Sequence, residues 1–304
     1  QDSLNVLKKV LKEMNIDSEL YKPKKVQGRI SQYKNNLITV KAYYNNPELM
    51  EADERANMKL MGQIYQKYVE TCFKNGAMDF DDLLLRTNEL LTRFPEVLAK
   101  YQDRFRYILV DEYQDTNHSQ YLIVKALASK FENICVVGDD AQSIYSFRGA
   151  NIQNILNFKK DYPDAKIVSL EQNYRSTQNI VNAANDLISK NINQFEKNVF
   201  SDNEIGEKIK VYRSLSDADE ANFVAGNIWE QHNFNQKKFN DFAILYRTNS
   251  QTRAFEDALR RKNIPYRVYG GLSFYQRKEI KDLLAYLRLL VNENDSEALL
   301  RVIN

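Results

Sequence analysis

The chain has 304 residues, 43% of them hydrophobic and 28% charged, and its formal net charge is +2. This length is enough for about two domains with buried cores. The longest apolar runs are far shorter than the ~20 residues that a membrane span needs, so we expect a soluble protein without a membrane partner. Cys72 and Cys135 lack metal-ligand spacing and predict buried free thiols in a reducing compartment, here the cytoplasm.

Two stretches of the chain are strongly basic although the whole is nearly neutral. Nine basic residues stand against three acidic ones between Lys8 and Lys41, and the same counts hold between Arg247 and Lys281. Clustered cations suit a polyanionic partner, but a solvated helix face has the same composition. Charge alone leaves both interpretations open.

The first part of the chain has the periodicity of amphipathic helices. Residues 2–75 carry leucines one turn apart and no strand signal, and residues 51–76 predict one helix of about seven turns. A further helix begins in MDFDDLL. Asp79, Asp81 and Asp82 fall in its first turn, where the helix dipole favours carboxylates. We therefore expect an N-terminal all-helical subdomain.

After residue 105 short apolar runs alternate with helical segments. This alternation predicts a parallel, doubly wound α/β sheet whose strands are buried on both faces. The predicted strands are YILV, NICVVGD, KIVSLEQ, KIKVYRS and DFAILYR. In such sheets functional groups gather at the carboxyl ends of the strands, and here the polar segments DEYQD, GDDAQS, EQNYRS and YRTN stand at those ends.

The carboxylates that follow the first apolar run suit phosphoryl transfer. Asp111 can hold Mg²⁺, and the adjacent Glu112 can orient or deprotonate an attacking water. In a purely structural alternative, Asp111 or Asp115 caps the next helix. A third possibility is a metal-dependent nuclease that uses all three carboxylates, although no two-metal spacing is recognisable.

Six motifs in order closely resemble those of the UvrD/PcrA/Rep type of superfamily 1 DNA helicases. LVDEYQDTN resembles the Walker B segment of that family, VVGDDAQSIYSFRGA its third motif and LEQNYRST its fourth. Three further segments resemble the accessory blocks of the same family: MDFDDLL, ILYRTNSQTR and GGLSFYQRKEIKDLLAYLR. The resemblance covers essentially the whole chain and implies incomplete RecA-like P-loop NTPase sheets of the α/β class, beside the helical subdomain.

The resemblance implies roles for five residues at an ATP site. Asp111 would bind the Mg²⁺ of Mg·ATP, and Glu112 would activate the hydrolytic water. Gln142 would contact the γ-phosphate, and Arg175 would reach the same phosphate as an arginine finger. Tyr174 would stack on adenine. The structural alternatives are a turn-capping role for Arg175 and a core position for Tyr174.

Further residues are implied to bind single-stranded DNA. Tyr145, Phe147 and Arg148 combine aromatic rings with a cation, and aromatic rings stack on any base at ~1–3 kcal/mol each. The resemblance puts Phe147 at the base-stacking position, where the family usually has tryptophan. Arg247 and Asn249 match DNA contacts of the second motor domain, and a strand-end turn is their structural alternative.

The sequence has no GxxxxGK[ST] phosphate loop, and Ala141 stands where the family commonly has aspartate. In the resembled family that loop precedes the first helical insertion, so we expect an internal segment of a helicase. The implied parts are a first helical insertion (1–76), the second half of the first RecA-like motor domain (77–164), the first half of the second motor domain (165–274) and the start of a second helical insertion (275–304).

Two functional hypotheses follow. The resemblance implies part of an ATP- and Mg²⁺-dependent 3′–5′ DNA helicase that acts on single strands and single-strand/duplex junctions in repair or replication. Alternatively, the segment itself only binds single-stranded DNA, as the aromatic loop and the basic stretches suggest. Salt-dependent binding of labelled single strands distinguishes a phosphate-contacting module from a chain that binds no DNA.

Overall fold

The computed structural model describes residues 2–192, 194–195, 197–270 and 278–303. The described part is mainly helical and contains one small parallel sheet. Its helices are α1 (Asp2–Glu13), α2 (Pro23–Asn35), α3 (Val40–Tyr44), α4 (Pro47–Arg55), α5 (Met61–Lys74), α6 (Phe80–Arg93), α7 (Pro95–Arg104), α8 (His118–Ala128), α9 (Gln153–Leu156), α10 (Phe158–Asp161), α11 (Gln178–Ile188), α12 (Asp217–Asn235), α13 (Thr252–Arg261), α14 (Lys278–Val291) and α15 (Ser296–Ile303). None of the described helices is long and apolar enough to cross a membrane.

The chain forms two compact units. The first contains the described residues of Gln1–Asn173, Asn182–Phe200 and Lys281–Asn304, and the second those of Tyr174–Val181 and Ser201–Ile280. The boundary predicted between residues 274 and 275, and the first part of the accessory block around it, lie outside the described residues. The other predicted boundaries stay predictions.

Helices α1–α5 pack around one apolar core within the first unit. Leu7, Val26 and Ile64 are fully buried there, each on a different helix. The prediction of one long helix over residues 51–76 is wrong, because α4 ends at Arg55 and α5 begins at Met61. Asn57 adopts a left-handed backbone with φ 57°, which turns the chain between the two helices.

A buried carboxylate joins three helices of this subdomain. Asp53 on α4 is fully buried and accepts hydrogen bonds from the hydroxyls of Tyr33 and Tyr43, the latter at 2.9 Å. Arg29 completes the group, with Nε 2.9 Å from Oδ1 of Asp53. Burial, followed by the hydrogen bond to Asp53, raises the pKa of both tyrosines, so they remain hydroxyl donors to the carboxylate.

A second buried ionic group connects α2 with the start of α6. Lys34 is fully buried, and its Nζ lies 2.7 Å from Oδ2 of Asp79 and 2.8 Å from Oδ2 of Asp82. These carboxylates also form the cap of α6, where Oδ1 of Asp79 accepts from the backbone N–H of Asp82 at 2.8 Å. The predicted acidic first turn of α6 is therefore confirmed, with an added role in holding the helical subdomain.

The sheet contains strands β1 (Ile108–Val110) and β2 (Ile134–Val136), which pair in parallel with Leu109 opposite Cys135. These strands correspond to the first two predicted apolar runs. The other three runs, at 166–172, 208–214 and 241–247, are wrong as strand predictions, because they are described without β-ladders. A strand requires backbone hydrogen bonds with a neighbour, which apolar sequence alone does not supply. Side chains in these runs remain exposed, including Val211 at 93% and Leu245 at 90%.

The two cysteines are free, but only one matches the prediction of a buried thiol. Cys72 is buried in the helical core, whereas Cys135 is exposed. Cys135 shares a sheet face with its register partner Leu109, which is itself 78% exposed. The prediction failed for Cys135 because it assumed a sheet covered on both faces, and this face carries no covering layer among the described residues.

The second unit has its own small core between α12 and α13. Small residues on α12, Ala221 and Ala225, are buried and let α13 approach closely. Phe255 and Leu259 on α13 fill the remaining space. Tyr246, next to the predicted site residue Arg247, packs against this core.

Candidate functional site

A tight turn at the carboxyl end of β1 presents two carboxylates. The backbone N–H of Glu112 donates to Oδ1 of Asp111 at 2.9 Å, and Glu112 adopts a left-handed conformation with φ 49° and ψ 43°. Such a backbone costs roughly 1–2 kcal/mol in a residue with a side chain. The turn is fixed by the next residue, because the N–H of Tyr113 donates to the carbonyl of Val137 at 3.0 Å. Both carboxylates are exposed at this edge.

Gln114 connects this turn to the segment after β2. Its side chain is almost fully buried, and its Nε2 donates to Oε2 of Glu112 at 2.7 Å while its Oε1 accepts from the N–H of Asp139 at 3.0 Å. Gly138 makes this approach possible, since a Cβ there would collide with Oε1 of Gln114 and would lie 2.8 Å from Cδ1 of Ile155. Sequence reasoning gave Gln114 no role. Its only local signal was an amide inside an acidic segment at a strand end.

The predicted phosphate-contacting residue, Gln142, lies in a short 3₁₀ turn, Asp140–Gln142, after β2. Asp139 caps this turn by accepting from the N–H of Ala141 at 3.0 Å, and its Oδ2 accepts from Nε2 of Gln142 at 2.8 Å. Glu112 and Gln142 are therefore connected through Gln114 and Asp139 by side-chain and backbone hydrogen bonds. The Gln142 side chain itself is exposed.

The electrostatic environment of Asp139 favours its ionised form. Partial burial acts to raise its pKa, but hydrogen bonds from Lys197 and Gln142 outweigh burial and hold the pKa below the ordinary value. Lys197 has a raised pKa: burial acts to lower it, and hydrogen bonds to Asp139 and Asp140 prevail. The Lys197 ammonium and the Asp139 carboxylate therefore stay charged near neutral pH.

The aromatic loop, residues 143–150, continues from this turn. The rings of Tyr145 and Phe147 lie with centroids 6.0 Å apart, and the guanidinium of Arg148 sits 5.1 and 5.4 Å from the two ring centroids. Phe147 is 76% exposed, and Gly149 turns the chain with φ 89°. The three residues predicted to bind DNA from this loop are therefore gathered on one exposed surface, where bases can stack and a phosphate can meet a cation.

The end of the aromatic loop returns to the segment that follows the β1 turn. Ala150 forms an antiparallel bridge with Asn117, and the N–H of Asn151 donates to the carbonyl of Thr116 at 3.0 Å. Nδ2 of Asn154 donates to the same carbonyl, also at 3.0 Å. Because Gln114 holds the start of this region through Asp139, both ends are tied to residues directly after the carboxylates.

The alternative in which Asp111 or Asp115 caps α8 is wrong. Asn117 caps that helix, with Oδ1 accepting from the N–H of Gln120 at 2.8 Å. Asp115 instead has a buried Oδ1 without a hydrogen-bond partner among the described residues. Desolvation, followed by the charge of Glu112, raises its pKa.

The described residues contain no group of three histidine, cysteine or acidic side chains arranged to hold a metal. Mg²⁺ does not require such a cage, because it usually binds one or two carboxylates together with water and substrate phosphates. The exposed carboxylate of Asp111, held at a rigid strand end, has the chemistry for that single contact. The residues present therefore fit Mg²⁺ delivered with a nucleotide.

Tyr174 and Arg175 lie on the second unit, before α11. The Tyr174 side chain is 78% exposed, so its alternative as a core tyrosine is wrong, and Arg175 is exposed too. Their backbone is held by Asn203, whose Nδ2 donates to the carbonyls of Tyr174 at 3.2 Å and Ser176 at 3.0 Å. The aromatic and cationic side chains are thus presented by a fixed backbone.

Arg247 and Asn249 lie on another segment of the second unit, just before α13. Both side chains are exposed. Asn249 begins a 3₁₀ turn, Asn249–Gln251, but the cap of that turn is Thr248, which exchanges hydrogen bonds with Gln251. A turn is therefore present here, as in the structural alternative, but it does not follow a strand, and the cation and amide beside it remain exposed.

Comparison with known proteins identifies the family to which the chain belongs. Residues 1–163 match the UvrD/REP helicase N-terminal domain and residues 168–304 the UvrD-like helicase C-terminal domain. The chain belongs to this helicase family, whose domains have an α/β, RecA-like fold.

The chain is also similar to particular curated proteins. It is 49% identical to the ATP-dependent DNA helicase PcrA of Staphylococcus epidermidis, over 100% of this chain and 41% of the relative. The same identity relates it to the ATP-dependent DNA helicase PcrA of Staphylococcus aureus, over 100% of this chain and 40% of the relative. The chain therefore spans about two fifths of the length of these relatives.

Proposed function

We propose that the intact protein is an ATP-dependent DNA helicase that moves 3′ to 5′ on single-stranded DNA and acts at single-strand/duplex junctions. The observation that carries this proposal is the hydrogen-bonded connection from Glu112 through Gln114 and Asp139 to Gln142, followed by the aromatic loop. Membership of the helicase family and the similarity to ATP-dependent DNA helicases support it. Direction and junction preference come from the family resemblance.

The nucleotide chemistry is assigned to residues at the ends of the two strands and before α11. Asp111 binds Mg²⁺, which neutralises charge on the phosphate oxygens when Mg·ATP is present. Glu112 accepts a proton from the attacking water, and Gln142 contacts the γ-phosphate. Arg175 acts as an arginine finger on the transferred phosphate, and Tyr174 stacks on adenine.

The DNA track is assigned to exposed aromatic and polar residues. Tyr145, Phe147 and Arg148 stack on bases and contact a phosphate, and Arg247 with Asn249 holds the sugar-phosphate backbone. Because the aromatic loop and the Gln142 turn form one continuous segment, a change at the γ-phosphate alters the loop that grips DNA. The proposed physiological setting is DNA repair or replication in the cytoplasm.

The chain supplies part of the motor. We assign residues 1–76 to a first helical insertion, 77–164 to the second half of one RecA-like motor domain, 165–274 to the first half of another and 275–304 to the start of a second insertion. Other parts of the intact protein provide the remaining phosphate contacts.

Substitution of Glu112 by glutamine in the intact protein tests the assignment. The amide keeps the shape of the side chain but cannot take a proton, so DNA-stimulated ATP hydrolysis should fall on the order of 10²-fold or more. Binding of single-stranded DNA should persist. Glu230→Gln, an exposed glutamate on α12, is the matched control and should hydrolyse ATP at the wild-type rate. Unchanged hydrolysis in Glu112→Gln would remove the proposed base.

A second candidate function is single-stranded DNA binding by this segment without hydrolysis. The exposed rings of Tyr145 and Phe147, both in contact with the Arg148 guanidinium, favour it. Labelled single strands titrated with the 304-residue chain should bind with an affinity that falls steeply with salt, because phosphate contacts release counterions. Absence of salt-sensitive binding would end this hypothesis.

A further inference from the structure

Lys197 occupies an unexpected position among the residues outside the sequence motifs. It lies on the chain segment after α11, and its Nζ is 2.5 Å from Oδ1 of Asp139 and 2.5 Å from Oδ1 of Asp140. The same segment contributes the N–H of Phe195, which donates to Oδ2 of Asp140 at 2.9 Å. A distant part of the chain therefore holds both carboxylates of the turn that carries Gln142.

The burial of these groups makes the contact more than a surface ion pair. The Asp140 side chain is only 2% exposed and that of Lys197 20% exposed. A buried carboxylate without a partner is strongly destabilising, and exposed ion pairs contribute little. Asp140 therefore depends on Lys197 and on the Phe195 amide for its compensation, and the conformation of the 3₁₀ turn depends on both.

Asp139 links Lys197 to Gln142 directly. Its Oδ1 accepts from Lys197, and its Oδ2 accepts from Nε2 of Gln142 at 2.8 Å. The two donors thus sit on opposite oxygens of one carboxylate. A carboxylate fixed by an ammonium on one side is a rigid acceptor for the amide on the other, so the ammonium limits where Gln142 can point.

The turn has a carboxylate next to the position at which the sequence departs from the resembled family pattern. Ala141 stands where the family commonly has aspartate, and a carboxylate is present one position earlier, at Asp140. The carboxylate at that earlier position is the one that Lys197 and the Phe195 N–H compensate. The turn therefore retains an anchored carboxylate despite Ala141.

We propose that Lys197 is a positioning residue for Gln142, which it holds through Asp139 while its contact with Asp140 fixes the turn. The proposal rests on the function proposed above, because it assumes that Gln142 contacts the γ-phosphate. Without the ammonium, the Asp139 carboxylate can move together with the side-chain amide of Gln142. The amide then samples orientations in which it does not contact the γ-phosphate. Displacements of about 1 Å in such a group can lower turnover up to about a hundredfold.

The test compares ATP hydrolysis by the intact protein and its variants at saturating single-stranded DNA. Lys197→Met should lower kcat between about tenfold and a hundredfold, with a smaller change in the KM for ATP. Gln142→Ala should lower kcat comparably, and the double variant should be no slower than Gln142→Ala alone, since Lys197 acts through that side chain. Lys197→Arg, which can donate to both carboxylates, should recover most of the activity.

The controls separate positioning from general stability. Lys190→Met removes an exposed lysine from the preceding part of the chain and should leave kcat unchanged. Lys197→Gln keeps a donor without the charge and provides a second variant if Lys197→Met does not fold. Its kcat should also fall, and its combination with Gln142→Ala should be no slower than Gln142→Ala alone. Thermal unfolding of every variant shows whether any loss of kcat merely follows a loss of folded protein.

Two results would overturn the proposal. Unchanged kcat in Lys197→Met and Lys197→Gln would show that the ammonium does not position the turn. Multiplicative losses in the double variant would show that Lys197 and Gln142 act independently. If wild-type protein hydrolyses no ATP in the presence of DNA, the proposed function fails instead, so the two failures are distinguishable.

Discussion

Replacement of Lys34 by methionine should loosen the junction between α2 and α6. The Lys34 side chain is fully buried, and the carboxylates of Asp79 and Asp82 are only 17% and 8% exposed. Methionine retains the apolar stem but leaves two carboxylates near each other without a cation. Removal of one partner from a buried ion pair lowers the free energy of unfolding by about 3–5 kcal/mol. We expect a loss within that range here, because Asp79 keeps its hydrogen bonds from the Tyr68 hydroxyl and the Asp82 N–H.

The effect should depend on pH in a defined direction. Burial acts to raise the pKa of Asp79, but Lys34 and the hydrogen bonds outweigh it, so the pKa lies below the ordinary value. A carboxyl whose pKa is lower when folded stabilises the fold above its unfolded pKa of about 4. That stabilisation is lost as pH falls through the folded value. Lys34→Met loses most of this contribution, so its stability deficit should be largest near pH 7 and shrink below about pH 4.

Hydrogen–deuterium exchange of the intact protein measures the local opening free energy of α2 and α6. Lys34→Met should lower it by about 3–5 kcal/mol at pH 7. Lys24→Met, an exposed lysine on the same helix, should change it by less than about 0.5 kcal/mol. A deficit in Lys34→Met below about 1 kcal/mol would refute the reasoning, because a surface ion pair contributes no more than that.

Substitutions at two further positions probe the site. Gly138→Ala should lower the free energy of unfolding by about 1–3 kcal/mol, as measured by denaturant unfolding. The reason is that its Cβ would lie 2.8 Å from Cδ1 of Ile155 and 3.2 Å from the backbone N of Tyr113. An unchanged free energy of unfolding would contradict the close packing. Phe147→Ala should weaken single-strand binding by ~1–3 kcal/mol in a fluorescence titration, and Phe147→Trp should strengthen it, since a larger ring stacks over more of a base. Equal affinities for all three side chains would exclude stacking at this position.

Local sequence signals predicted the elements whose determinants are themselves local. The acidic first turn of α6 was predictable, because Asp79 and Asp82 lie within one helical turn and complete the cap between them. The β1 turn was predictable as well, since Asp111 and Glu112 follow directly on an apolar run. Neither prediction needed information from a distant segment.

The failures involve distant partners, or a local backbone conformation that the hydropathy pattern does not show. An apolar run such as residues 208–214 has strand composition, but pairing depends on a neighbour that composition does not specify. The break between α4 and α5 depends on the left-handed Asn57, which helical periodicity does not register. Likewise, the contact of Lys197 with Asp139 leaves no local pattern, because a lysine in a polar segment is usually an exposed cation.

The two ends of the aromatic loop set a condition for coupling between nucleotide and DNA. Gln114 holds the turn before the loop through the Asp139 N–H, and Thr116 holds the residues after the loop through its carbonyl, which accepts from Asn151 and Asn154. Each neutral hydrogen bond contributes about 1 kcal/mol net, so the ends separate from the β1 turn less readily than the exposed tip rearranges. If Gln142 and Phe147 have the proposed roles, a change at the phosphate moves the ring relative to these fixed ends. Coupling then requires no movement of the sheet.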